Sequence, residues 1–183
     1  MNRDQARAVM VTFIERLREN QSWCGETHIQ KAAYFLKHLA GVPLPFDFIL
    51  YKHGPFSFDL SDELTAMRAY QLLDIHAQYP YGHRMTVTEV GNAFRRRFSK
   101  TLEAYERQIG FVSRTLGEKG VAELERLATA FFVTLQGADG EPFNRAERLH
   151  EIKPHILPDV AEAAVESVVA IIGQARGEGL ATI

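Results

Sequence analysis

Apolar side chains first recur at helical spacing: Val9, Met10, Phe13, Ile14 and Leu17 share one face of residues 4–19. That three-to-four-residue period predicts an amphipathic helix, with Asp4 placed to cap it. Thr27 followed by Gln30 forms a capping-box pattern for a second helix bearing Ile29, Ala32, Ala33, Leu36 and Leu39. Gly41 stops that helix, and Pro43 and Pro45 prevent it from resuming. The period then shortens to two, with Phe46, Phe48 and Leu50 alternating against Asp47, Ile49 and Tyr51. This predicts a short strand running into a turn at His53, Gly54 and Pro55. Ser57 is the predicted cap of a third helix, whose apolar face is Leu60, Leu64, Met67 and Leu72 and whose end lies near Leu73.

Residues 74–78 and 84–88 then predict the two strands of a hairpin around Pro80 and Gly82. Thr88 caps a stretch carrying Val90, Phe94 and Phe98, and residues 99–116 continue with Leu102, Tyr105, Ile109, Val112 and Leu116. Gly117 and Gly120 separate this from a helix with Leu124, Leu127, Phe131 and Leu135, and Gly137 to Gly140 read as a polar loop. Asn144 is the predicted cap of a short helix through Ile152. Pro158 suits the first turn of a last helix, and residues 177–183 are expected to fray. Helix, helix, strand, helix, hairpin is a winged-helix order. The predicted class is therefore α+β, mostly α: a single domain over 1–183, with a winged-helix-like unit and small antiparallel sheet over 1–98 packed on a helical extension over 99–176.

Composition narrows the functional classes. The chain is 183 residues, 46% hydrophobic and 24% charged, an ordinary globular balance. No run reaches the roughly 18 to 20 apolar residues of a membrane span, and the charged start MNRDQARAV does not look like a signal peptide, so a cytoplasmic protein is expected. Cys24 is the single cysteine, which excludes an internal disulfide and a cysteine-rich zinc site. The formal charge of −2 divides unevenly, about +3 over residues 1–100 and −5 over 101–183. The first half is thus the better candidate to meet an anion.

Candidate chemistry is sparse. Lys52 and His53 precede a Gly-Pro turn at the mouth of the third helix, where Ser57 adds a hydroxyl beside free amides, an arrangement suited to an anion. The competing structural role for these residues is turn, cap and solvated lysine, and Asp59, Asp62 and Glu63 would repel a phosphate there. Arg95, Arg96 and Arg97, with Lys100, are the densest basic cluster; with Lys52, His53, His83 and Arg84 they would form a positive surface for nucleic acid. Three consecutive residues diverge by about 100° each around a helix, however, so only part of that cluster faces one ligand. Tyr79 and Tyr81 in the hairpin loop are candidates for stacking on bases or filling a partner's pocket. Cys24, Glu26 and His28, even with His53, His76 or His83, lack the close-spaced pair a metal site requires. No Gly-x-Ser-x-Gly, glycine-rich phosphate loop or His-Glu-x-x-His occurs, and neither a catalytic residue nor a cofactor is expected.

Four segments carry a resemblance: Ile29 through Leu36, Tyr51-Lys-His-Gly-Pro-Phe-Ser57, Thr88 through Gly91, and Ile152-Lys-Pro-His155. Together they resemble the bacterial and phage YwgA-like proteins, which are similar in turn to the SocA-type Panacea-domain antitoxins. Leu50, and Phe56 through Asp59, stand where the Panacea pattern carries a tryptophan and a Pro-x-Val-Tyr element. The resemblance implies a helical protein with a small sheet that neutralises a toxin by binding it. A non-enzymatic module with a protein partner, a toxin by resemblance, is the expected function. A regulator that contacts duplex DNA through the third helix and hairpin is the alternative, and a homodimer through the C-terminal helices stays open.

Overall fold

The computed structural model describes residues 1–79, 82–137 and 145–183. The α+β, mostly α class is observed. In chain order the elements are α1 (Arg3–Glu19), α2 (Glu26–His38), β1 (Ile49–Tyr51), β2 (Gly54–Phe56), α3 (Phe58–Ala69), β3 (Leu73–Gln78) and β4 (Gly82–Val87). There follow α4 (Glu89–Arg96), α5 (Ser99–Leu116), α6 (Val121–Gln136), α7 (Arg145–Ile152) and α8 (Pro158–Gly177). One contiguous apolar cluster runs from Val9 and Phe13 of α1 through α2, α3, α5 and α6 to Val168 and Ile172 of α8. At its centre Phe35 of α2 stacks on Phe131 of α6 with ring centroids 4.6 Å apart.

The strands differ from the expected single sheet. β1 pairs only with β2, Ile49 opposite Phe56 and Tyr51 opposite Gly54, while β3 pairs with β4 from Leu73–Val87 to Gln78–Gly82. The hairpin flanking Gly82 is present, but the strand before α3 folds back on itself instead of joining it. Residues 46–48 precede the strand, and the Gly54–Pro55 segment, expected as turn, is itself a strand; the turn sits at Lys52 and His53. Pro55 is tolerated because a two-stranded ribbon leaves one edge of each strand unpaired.

Ser57 and Thr88 cap α3 and α4 as the sequence predicts, accepting from the amides of Leu60 and Gly91. The first two caps differ. Asn2 displaces Asp4, forming a reciprocal capping box with Gln5. Gly25 displaces Thr27, because the Gln30 carboxamide is engaged elsewhere. α3 ends at Ala69, short of Leu73, which opens β3. Glu63, nearly fully buried, receives Arg3 Nε at 2.7 Å and Arg7 Nε, so α3 is pinned to α1 by a forked ion pair. The tail is docked instead of frayed: Leu180 is buried and the Thr182 amide donates to Leu39 O at 2.9 Å. The predicted cap Asn144 lies outside the described residues, as do Pro80 and positions 138–140.

Candidate interaction surface

The segment from Ile49 to Phe58 has an inner face anchored by buried polar groups and an outer face of aromatic rings. On the inner side, Gln30 Nε2 donates to Ser57 O at 2.9 Å and Gln30 Oε1 accepts from Ser57 N at 3.0 Å. One carboxamide therefore satisfies both backbone groups of the residue that caps α3. Lys31, 1% exposed, donates its Nζ to Pro55 O at 2.9 Å. Burial pushes its ammonium down to about 8, against the Glu125 carboxylate, which draws it up; the Lys153 charge lowers it further. Gly54 holds φ +87°, and a Cβ there would lie 2.7 Å from Thr129 Oγ1, so the loop backbone rests directly on α6.

With its backbone fixed from below, the ribbon sends its alternate side chains outward. Ile49 and Tyr51 lie on one face of β1, and Phe56 is paired across from Ile49. Phe58 opens α3 beside them. Tyr51, Phe56 and Phe58 form a closed triangle with centroid separations of 5.9, 5.4 and 5.1 Å. Even so, Ile49 is 51% exposed and Tyr51 and Phe58 are each 53% exposed. Three neighbouring exposed apolar side chains stand out where a lone exposed ring would need no explanation. Asp59 and Asp62 are exposed on the adjoining face of α3.

The predicted site residues scatter over several surfaces. Lys52 and His53, both exposed, line a cleft of about 320 Å³ with Arg126, Lys153 and His155. Ser57 is fully buried as a cap, and its hydroxyl is not part of any outer surface. Tyr79 projects from the end of β3, 97% exposed; Tyr81 lies outside the described residues. His83 is exposed beside Trp23 and Thr27, and Arg84 lies over the Trp23 ring at 5.8 Å. Arg95 and Arg96 line a hollow that also holds Glu19, Glu103 and Glu106, while Arg97 borders another with Arg7 and Tyr70. The divergence expected of consecutive helical residues is thus realised, and no described cavity joins these arginines to Lys52 and His53.

Cys24 is buried, its thiol pushed up to about 11 by desolvation, which leaves it a poor nucleophile. Among the described residues no three His, Cys, Asp or Glu side chains gather as metal ligands. Among the same residues no helix is long and apolar enough to cross a membrane. The sequence pattern assigns Gln30 to a capping box and gives Lys31 and Thr129 no role. Their only signal is a polar pair, Gln30-Lys31, inside an otherwise apolar helical run. The sequence matches no family model and no curated protein.

Proposed function

We propose that the chain is a non-enzymatic interaction module that binds a protein partner through the aromatic face formed by Ile49, Tyr51, Phe56 and Phe58. The observation that carries this reading is the exposure of Ile49, Tyr51 and Phe58 around the half-buried Phe56, on a backbone held by Gln30, Lys31 and Gly54. A rigid aromatic platform loses little entropy on binding, and tyrosine is among the residues that dominate interface energies. The resemblance to YwgA-like proteins and Panacea-domain antitoxins makes a toxin the expected partner, acting with this chain in the cytoplasm. Asp59 and Asp62 beside the patch suit a partner with a basic rim and disfavour a phosphate backbone. The alternative of duplex DNA is further weakened by the division of Arg95, Arg96 and Arg97 between two hollows, one of them holding three glutamates.

Affinity capture from the native host compares the wild-type chain with Tyr51→Ser/Phe58→Ser. The expected result is one stoichiometric protein that the double variant loses and Arg95→Ala/Arg96→Ala/Arg97→Ala retains. A truncation in the centre of an interface typically costs about 2 kcal/mol or more, roughly thirtyfold in affinity. Capture of the same proteins by both chains, or steeply salt-dependent retardation of random duplex that requires the arginines, would overturn the proposal.

A further inference from the structure

The cleft beside the loop carries a second, independent chemistry. Two segments singled out in the sequence, Lys52-His53 and Lys153-Pro154-His155, lie a hundred residues apart in the chain and meet here. Lys153 Nζ donates to Lys52 O, fastening one to the other. Arg126, half-buried on α6, adds a further cation. Glu125 is the single carboxylate among the lining residues, and it stands 3.5 Å from His53 Nδ1. Among the described residues no group bonds or ion-pairs with the side chains of Lys52, Arg126 or His155.

This concentration is unexpected from the charge distribution. Residues 101–183 carry an acidic excess, yet Arg126, Lys153 and His155 from that half gather against Lys52 and His53. Like charges drawn into one concave space repel, and the low-dielectric walls strengthen that repulsion. An anion seated among them reverses its sign. The buried Lys31, whose ammonium responds to both Glu125 and Lys153, adds to the same field from beneath the loop.

The cleft is also half apolar. Ile156, Leu157 and Val160 form one wall, at the start of α8, and Ala122 lies in the first turn of α6. Neither helix has a side-chain cap among the described residues, so the positive ends of two helix dipoles flank the cations. A volume of about 320 Å³ is at the lower end of small-molecule sites. We infer that this cleft binds a phosphate-class anion, its charge held by Lys52, Arg126 and Lys153 and any organic portion resting on Ile156, Leu157 and Val160. The inference is separate from the aromatic patch and stands or falls without it.

Isothermal titration of the full chain at constant ionic strength, with inorganic phosphate, adenosine 5′-monophosphate and uncharged adenosine as three probes, tests it directly. Saturable binding of a single equivalent is expected for the two anions, with adenosine at least tenfold weaker than its monophosphate. Equal affinity for phosphate and the monophosphate would identify free phosphate as the ligand; tighter monophosphate would identify a phosphomonoester. Arg126→Ala and, separately, Lys52→Ala should each weaken the anions about tenfold, the effect of losing one charge-assisted bond. Arg96→Ala should change nothing. No saturable heat from either anion up to about 10 mM, adenosine binding as tightly as its monophosphate, or equal loss in Arg96→Ala and Arg126→Ala would overturn the inference. Circular dichroism of each variant separates lost binding from lost folding.

Discussion

The two hairpins are built on opposite plans. β3–β4 pairs six residues a side and is stitched to the body at one edge, where Met85 N donates to Cys24 O at 2.9 Å. Its ladder supplies its own shape. β1–β2 pairs only three residues a side, too few to hold a ribbon in water, and takes its shape from Gln30, Lys31 and Thr129 on two distant helices. The hairpin that cannot stand alone is the one that displays the aromatic rings. Polar anchors beneath a short ribbon thus achieve what a longer ladder would not: they fix a backbone while leaving its apolar side chains outside the core.

Valine placed at the two hairpin glycines breaks this comparison most sharply. Gly54 and Gly82 share nearly the same positive φ, +87° and +86°, so strain from a positive φ is common to both. Among the described residues, chain neighbours aside, no atom lies within 4 Å of the Cβ added at Gly82, whereas at Gly54 it meets Thr129 Oγ1. Urea unfolding should show Gly54→Val losing about 3 to 5 kcal/mol and Gly82→Val only about 1 to 2 kcal/mol. Equal losses would mean that the short hairpin does not rest on α6.

A second effect is a pH dependence localised to Lys31. Below about pH 8 its ammonium is charged in the folded and unfolded chains alike, and the folded state bears the desolvation penalty. Between about 8 and the ordinary value of 10.5 the folded chain has released a proton that the unfolded chain still holds, so stability rises with pH. The wild type should therefore gain up to about 3 kcal/mol on Lys31→Met across that window, read as the difference between their unfolding free energies. A flat difference would place the ammonium in contact with water.

Smaller still, Gln30→Leu should cost about 2 kcal/mol, because the buried Ser57 amide loses its partner and the Ser57 carbonyl keeps only the Ser61 amide, while side-chain volume is kept. The least effect on stability is expected from Tyr51→Ser/Phe58→Ser, under about 1 kcal/mol, since the rings touch each other more than the core. A large loss there would make the patch part of the scaffold.

What the sequence could disclose follows from how local the determinant is. Every helix with a sustained apolar period was legible, as were the Ser57 and Thr88 caps and the hairpin at Gly82, because each depends on neighbours within a few residues. β2 was hidden because Gly54-Pro55 carries the chemistry of a turn, and only a ribbon with one unpaired edge accommodates it as strand. The spacing from Thr27 to Gln30 predicts a capping box, but the partner of Gln30 is Ser57, 27 positions ahead. Leu180, a lone apolar residue among small and polar neighbours, gives no periodic sign that the tail docks. The Lys52-His53 and Lys153-Pro154-His155 segments each stand out in the sequence, yet their convergence on one cleft is a property of the packing of α6, α7 and α8. The aromatic face was likewise invisible, since alternation alone assigns Phe56 and Ile49 to no particular side.

The most direct test of the central claim places a photo-crosslinking phenylalanine analogue at Phe58 or, as the matched exposed control, at Tyr79, and irradiates each chain in its native host. The account predicts one discrete protein adduct from position 58 and none from position 79. A discrete adduct at 79 with none at 58, or DNA adducts at 79, would contradict it.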